Sequence, residues 1–433
     1  MYRRLPLLMI VLFAASSTWG QSPPAPDQTE QIRILLDRIQ QLEKRVSEME
    51  SRQPAAAAPT MAAANVPAAP KPEPPEAVPP PGPGQGHQHE ARDEQATVQQ
   101  MEIHYPSLQI RGFGDVDFSA TDQKGTNSGF NLGEFVLHMS SPLSKKVSVF
   151  GEIAYDPQQE GWSVDVERAI VRYDWNDHFK VSVGRFHTPI NYWNTAFHHG
   201  TWLQTSIARP EMILFHGELL PAHFVGLMAE GSIPSGGANL GYNVAIGNGR
   251  SFFLHEPGQI GDSNNNRAWL ANLYARPAKL YGLQVGASFY RDKIDKISLG
   301  GGNEFREWIA SAHLVWTKGA PEFLAEFANI HHQNILTNAV ANSDAFYAQL
   351  GYRMPWFEKT LKPYYRFEYI HTPKSEVVFG NMDLVESIVG LRYDISSYAA
   401  FKSEYRHASR QSLVTPTFNG IVNGLFLQTS FTF

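Results

Sequence analysis

The chain has 433 residues, no cysteine and a formal charge of −6, too long for one ordinary globular domain and without a strong charge for a nucleic-acid partner. Missing thiols exclude disulfide staples and a lipid-modified N-terminal cysteine in an exported protein. Only 18% of residues are charged, while Gly (34), Phe (26), Tyr (17) and Trp (9) are plentiful, a mix that suits many strands better than helical bundles.

Residues 1–20 read as a secretory signal. Arg3 and Arg4 form the basic end, Leu5 to Ala15 the apolar run, and Thr18 and Gly20 precede a cut at Gln21. The run is too short to span a bilayer as a helix, and no other stretch approaches one. A chain of this kind reaches a membrane only as a closed barrel.

Residues 28–52 carry an a/d seam: Ile32, Leu35, Ile39, Leu42, Val46 and Met49. Arg38 with Glu43, and Arg45 with Glu50, fall on successive g and e positions of a parallel coiled coil. The seam is short and marginal alone. Its β-branched a positions lean toward two strands, whereas a trimeric barrel needs three. A single amphipathic helix is the alternative. Residues 53–106 are Ala- and Pro-rich and read as an extended linker. His87, His89 and Glu90 in it lack further ligands and read as a solvated tail.

From 107 to 433 the pattern changes to period two. Leu108, Ile110, Gly112, Gly114, Val116 and Phe118 share one face; Gln109, Arg111, Asp115 and Asp117 share the other with Phe113. About sixteen such segments start near 108, 131, 146, 162, 178, 222, 240, 267, 283, 305, 322, 344, 362, 384, 398 and 424, each roughly the length of a tilted membrane strand. Val164 and Val166 change phase with Val171, Tyr173 and Trp175, which predicts a bulge near Glu167–Arg168. The last strand ends on Phe433, with Leu425, Leu427, Thr429 and Phe431 on its face. An exposed aromatic terminus suits a strand closed into a barrel in lipid. Trp175, Trp316, Tyr393 and Phe433 fit the lipid–water interfaces.

The fold class is therefore all-β: a 16-stranded antiparallel transmembrane β-barrel after a short helical coiled coil and a Pro/Ala-rich linker. Predicted inner turns are short (141–145, 174–177, 277–282, 317–321, 394–397). Most outer loops are longer (187–221, 249–266, 291–304, 409–423), with 156–162 a short exception. A soluble sandwich or solenoid shows the same alternation and is set aside on strand count and aromatic ends.

The third outer link, 187–221, is rich in apolar residues, so inward packing is expected. An outward loop covering a neighbouring subunit is the alternative. Folded inward, His198, His199, Arg209, Glu211, His216 and Glu218 would set the field of a constriction. Inward wall charges are mixed. Arg111, Arg366, Arg392, Lys402 and Arg406 are basic; Asp115, Asp117, Glu134, Glu152, Glu326, Glu368, Glu386 and Glu404 are acidic. Opposed arcs would orient dipolar solutes, and lateral pairs would stiffen the wall. His138 and Ser140 superficially resemble a hydrolytic dyad but lack a third group. The pairs His198–His199 and His331–His332 would point to opposite sides of a strand, so no metal site, cofactor or catalytic residue is assigned.

Strand count, third loop and terminal Phe433 resemble the trimeric general porins of Gram-negative outer membranes. The stretches 108–118 (LQIRGFGDVDF) and 183–194 (VGRFHTPINYWN) are most similar to the phosphate-selective porin superfamily, some members of which carry an N-terminal coiled coil. The resemblance implies a homotrimer in outer-membrane lipid, a coiled coil in the periplasm, passive diffusion of small hydrophilic or anionic solutes, and a constriction built by the third loop. Phe433 is the expected signal to the barrel-assembly machinery. The dense basic ladder of phosphate-selective members is missing here. The non-conducting alternative is an anchor tethering the membrane to the peptidoglycan cell wall through the coil.

Overall fold

The computed structural model describes residues 105–433 apart from 159, 198, 215–218, 252–253, 255, 296–301, 381 and 413–418. The expected signal (1–20), the coil (28–52) and nearly all of the linker (53–106) lie outside the described residues.

The strands are β1 (Gln109–Thr121), β2 (Gly129–Pro142), β3 (Val147–Pro157), β4 (Trp162–Asn176), β5 (Phe179–His187), β6 (His223–Ile233), β7 (Leu240–Asn248) and β8 (Ala268–Ala275). They continue with β9 (Leu283–Ile294), β10 (Phe305–Trp316), β11 (Pro321–Asn334), β12 (Val340–Tyr352), β13 (Leu361–His371), β14 (Met382–Ser396), β15 (Ala399–Ser412) and β16 (Gly420–Thr432). Each pairs antiparallel with its neighbours in sequence, and β1 pairs with β16 to close a 16-strand barrel. Closure leaves no open edge, so the strands satisfy one another's backbone groups around the wall without water.

Predicted and observed strand starts agree closely. The largest offsets are at β12 and β16, which begin earlier than expected. Their first residues (Val340–Ser343 and Gly420–Asn423) are mostly small or polar and carry no apolar alternation. Links at one end are short: 143–146, 177–178, 234–239, 276–282, 317–320, 353–360 and 397–398. At the other end they include 188–222 and 249–267, with 158–161 and 335–339 short exceptions.

The exterior is apolar. Val164, Val166, Val171, Tyr173 and Trp175 of β4 are all exposed, although they change phase along the chain. The β3–β4 register explains this: Glu152 pairs with Arg168 while Ile153 pairs with Val166, so Glu167 is the extra residue of a bulge. A second bulge, absent from the sequence prediction, lies between β1 and β2, where the register shifts between Gly114 and Val116. Gly133 sits there because a Cβ would overlap the carboxylate of Asp115. Exposed Trp175, Trp316, Tyr393 and Phe433 all lie at the short-turn end, a girdle at one interface.

The closing seam is shaped by glycine. Gly112 N donates to Phe433 O at 2.9 Å, and Phe433 N donates back to Gly112 O at 3.1 Å. A Cβ at Gly112 would lie 2.2 Å from Phe433 Cζ, and one at Gly114 would lie 2.6 Å from Phe431 Cζ. The two rings of the last strand therefore lie over bare backbone of the first. The Phe433 ring also stacks on Phe135 at 5.8 Å.

Candidate functional site

The link between β5 and β6, residues 188–222, is the dominant feature of the interior. Prolines at 189 and 210 and the left-handed Asn191 (φ 59°) and Gly200 (φ 90°) break any regular structure. Among its described residues, one helical turn, Trp193–Ala196, and a 3-10 turn, Glu211–Ile213, form. Gly200 brings the backbone against Phe113 of β1: a Cβ there would lie 3.0 Å from the ring.

The loop's apolar residues pack on the inner wall. Ile190, Tyr192, Trp193, Phe197, Met212, Ile213, Leu219 and Leu220 join one buried cluster with inward residues of β8–β14 such as Leu270, Tyr290, Ile309, Leu324 and Tyr347. The Trp193 ring meets Phe197 at 4.9 Å and Tyr347 at 5.8 Å, both edge to face. Alternation predicts a polar interior here, and the structure corrects that. This arc of the inner wall is a mixed core, because the loop rather than water covers it.

Charged wall residues hold the loop by its backbone. Glu326 Oε1 accepts from Tyr192 N (2.9 Å) and Trp193 N (2.6 Å), and Glu404 Oε1 accepts from Ile207 N (2.7 Å). Glu368 Oε2 accepts from Glu211 N at 2.6 Å. Arg366 donates to Ala208 O at 2.7 Å, Arg392 donates to Trp202 O and Gln204 O at 2.7 Å, and Lys402 donates to Thr201 O. Thr205 donates to Glu322 at 2.6 Å, and Lys362 bridges the same pair. An irregular buried loop leaves peptide groups without ladder partners. These ions satisfy them, and the loop in turn supplies the hydrogen bonds that buried charges require.

The residues singled out from sequence fall into distinct places. Arg366, Glu368, Arg392 and Lys402 are buried under the loop. Asp115 is buried and accepts from Thr201 at 2.9 Å. Asp117, next along that face, and Glu134 are half-buried, and Arg111 is exposed. Arg406 is half-buried, bonded to Glu404 at 2.8 Å and lying over the Phe426 ring at 3.7 Å. Glu152 is fully buried between Arg168 and His138. His138 bonds Glu152 at 2.7 Å with its ring between Phe113 and Phe150, so it belongs to packing rather than to a hydrolytic dyad. In the loop, Glu211 forms a two-pronged pair with Arg410 at 3.0 and 3.1 Å. Burial pulls the Arg209 guanidinium down to about 10, against the carboxylates of Glu134, Glu167 and Glu152. His199 is buried, 2.9 Å from Glu134. Burial pushes its imidazole down, but Glu134 and Glu167 outweigh it and raise it to about 10. His198, His216 and Glu218 lie outside the described residues.

The loop does not cover the whole interior. Arg172, Asp174, Lys180 and Glu230, on the face opposite the apolar exterior of β4–β6, stay half-buried. Asp174 pairs across the ladder with Lys180, and Lys180 with Glu230, so they form one row. Arg172 bonds Asp174 at 2.6 Å and reaches Glu230 at 3.5 Å. Period-two alternation marks these residues as inward, but only the loop's path shows that this arc is the less covered one.

No family model matches the chain, and no curated protein does. Solved structures do match. OmpT of Vibrio cholerae, an outer membrane protein in its trimer form, is 12% identical with a TM-score of 0.55, over 76% of this chain and 99% of that one. The anion-selective porin of Comamonas acidovorans is 9% identical with a TM-score of 0.56, over 76% and 100%. The outer membrane channel DcaP of Acinetobacter baumannii is 12% identical with a TM-score of 0.51, over 76% and 97%. The shared feature at such identities is the porin-type barrel fold.

Proposed function

We propose that this barrel is a porin of the outer membrane, a water-filled channel for passive diffusion of small hydrophilic or anionic solutes. The observation that carries this reading is the third loop, anchored across the interior to β1, β2, β9, β11, β13, β14 and β15. A loop so fixed narrows a lumen without sealing the arc of β1–β7, and its charged row there sets a polar field. The reading is non-catalytic and needs no cofactor. A homotrimer is supported by the trimeric form of a protein with the same fold. In this reading Arg209, Glu211 and His199 belong to the narrowed zone together with Glu134, Asp117 and Arg406. Residues 28–52 would stand in the periplasm as a coiled coil joined by the 53–106 linker.

The test is single-channel recording of the purified barrel in a planar bilayer under a KCl gradient. Stable conductance steps, grouped in threes, support the porin. Folded, heat-modifiable barrels that never conduct would favour the cell-wall anchor instead.

A further inference from the structure

The β4–β5 ladder stops at Ala169–Arg185, but the β5–β6 ladder runs on to His187–His223. Where these strands part, the bulge residue Glu167 meets both histidines. One ligand atom from each of Glu167, His187 and His223 lies within 4.8 Å of the others, and all three residues are buried. We propose that Glu167, His187 and His223 form a binding site for a divalent transition-metal ion of the zinc class, at the root of the third loop.

The donor set is right for that class: two imidazoles and one carboxylate suit zinc and its neighbours, with a further position left for water or another donor. His199 brings a nitrogen, Nε2, to 3.4 Å from the same Glu167 oxygen. The surroundings orient the ligands as metal sites require. His223 Nδ1 lies 3.1 Å from Glu256 Oε1, which turns Nε2 toward Glu167 at 2.5 Å. Glu256 is itself fixed by Arg185 at 2.6 Å. His187 Nε2 lies 3.3 Å from Glu152 Oε2. A carboxylate behind a histidine fixes its tautomer and raises its basicity as a ligand.

His223 Nε2 and Glu167 Oε2 lie 2.5 Å apart. An ion bound between them takes both as unprotonated donors. Bonds of about 2.0 Å in tetrahedral geometry set donors about 3.3 Å apart, so the pair opens by under about 1 Å. The bound ion would tie β4 to β5 and β6 where their ladder lapses. None of this depends on whether the barrel conducts.

The experiment uses the full mature chain, folded in detergent and verified by heat-modifiable migration. Zn2+ is titrated against a competing chelator for wild type, Glu167→Gln, His187→Gln and His223→Gln. His371→Gln and His407→Gln, at exposed histidines, serve as controls. The expected result is about one tightly held ion per chain, lost in the three ligand variants and kept in both controls. Glu256→Gln should weaken binding by about 10–100-fold, since it weakens the charged backing of His223 Nδ1, which Arg185 also approaches at 3.0 Å. Wild type loaded with Co2+ should show the visible absorption of a nitrogen- and oxygen-ligated ion, which needs no variant to fold. Equal Zn2+ binding by wild type and the ligand variants would overturn the proposal, as would a Co2+ spectrum of the hydrated ion.

Discussion

The two arcs of the barrel wall make the same kind of strand but do different work. Along β8–β15, inward side chains mix apolar, neutral polar and charged residues, and most are buried against the third loop and its neighbours. Along β1–β7, many inward residues such as Ser148, Asp156, Arg172, Lys180 and Glu230 stay half-exposed. The first arc is a protein core that happens to lie inside a barrel. The second has the polar, partly wet character of a channel lining. Charge alone therefore does not identify a lining residue: Lys402 and Lys180 both face inward, and only Lys180 remains partly open.

The largest effect is expected at the seam that both arcs share. Gly112→Val places methyl groups where the Phe433 ring lies, and should prevent closure. Heat-modifiable migration in gels should be nearly lost, and deletion of Phe433 should impair assembly in the same assay more than any single inward charge change. Normal folding of Gly112→Val would mean that the first and last strands tolerate a different register.

Next in size is the covered arc. Trp193→Ala removes a fully buried ring and should cost about 3–5 kcal/mol, read as a lower denaturant midpoint of the folded barrel. Conductance should rise as the loop loosens. If stability falls and conductance does not change, the loop does not restrict flow.

The exterior is a control common to both arcs. Val389 of β14 sits in an exposed apolar row with Tyr365 and Tyr405. Val389→Arg should cost about 2–4 kcal/mol in lipid. A neutral outcome in liposome refolding would place that row outside the hydrocarbon.

The smallest effect on stability, and the sharpest on function, belongs to the open arc. Lys180→Glu sets a third carboxylate between Asp174 and Glu230 and should cost about 1 kcal/mol while shifting the reversal potential toward cation preference. The same reversal at Lys402 should disturb loop anchoring first, because its ammonium donates to Thr201 O and Ser206 O. Equal electrical effects at both positions would erase the distinction between the arcs.

Sequence alone determined the strands, their faces and the bulge at Glu167, because each is a local pattern: a side-chain period of two and a visible change of its phase. It also marked the third link as apolar. It did not show that Arg366, Arg392 and Lys402 hold loop carbonyls, since those contacts join residues far apart in the chain. The cluster of Glu167, His187 and His223 was equally hidden: no fixed spacing relates a bulge on one strand to the parting ends of two others. Those assemblies depend on barrel closure and on the path of one loop, and both are fixed by packing across the interior rather than by neighbours in sequence.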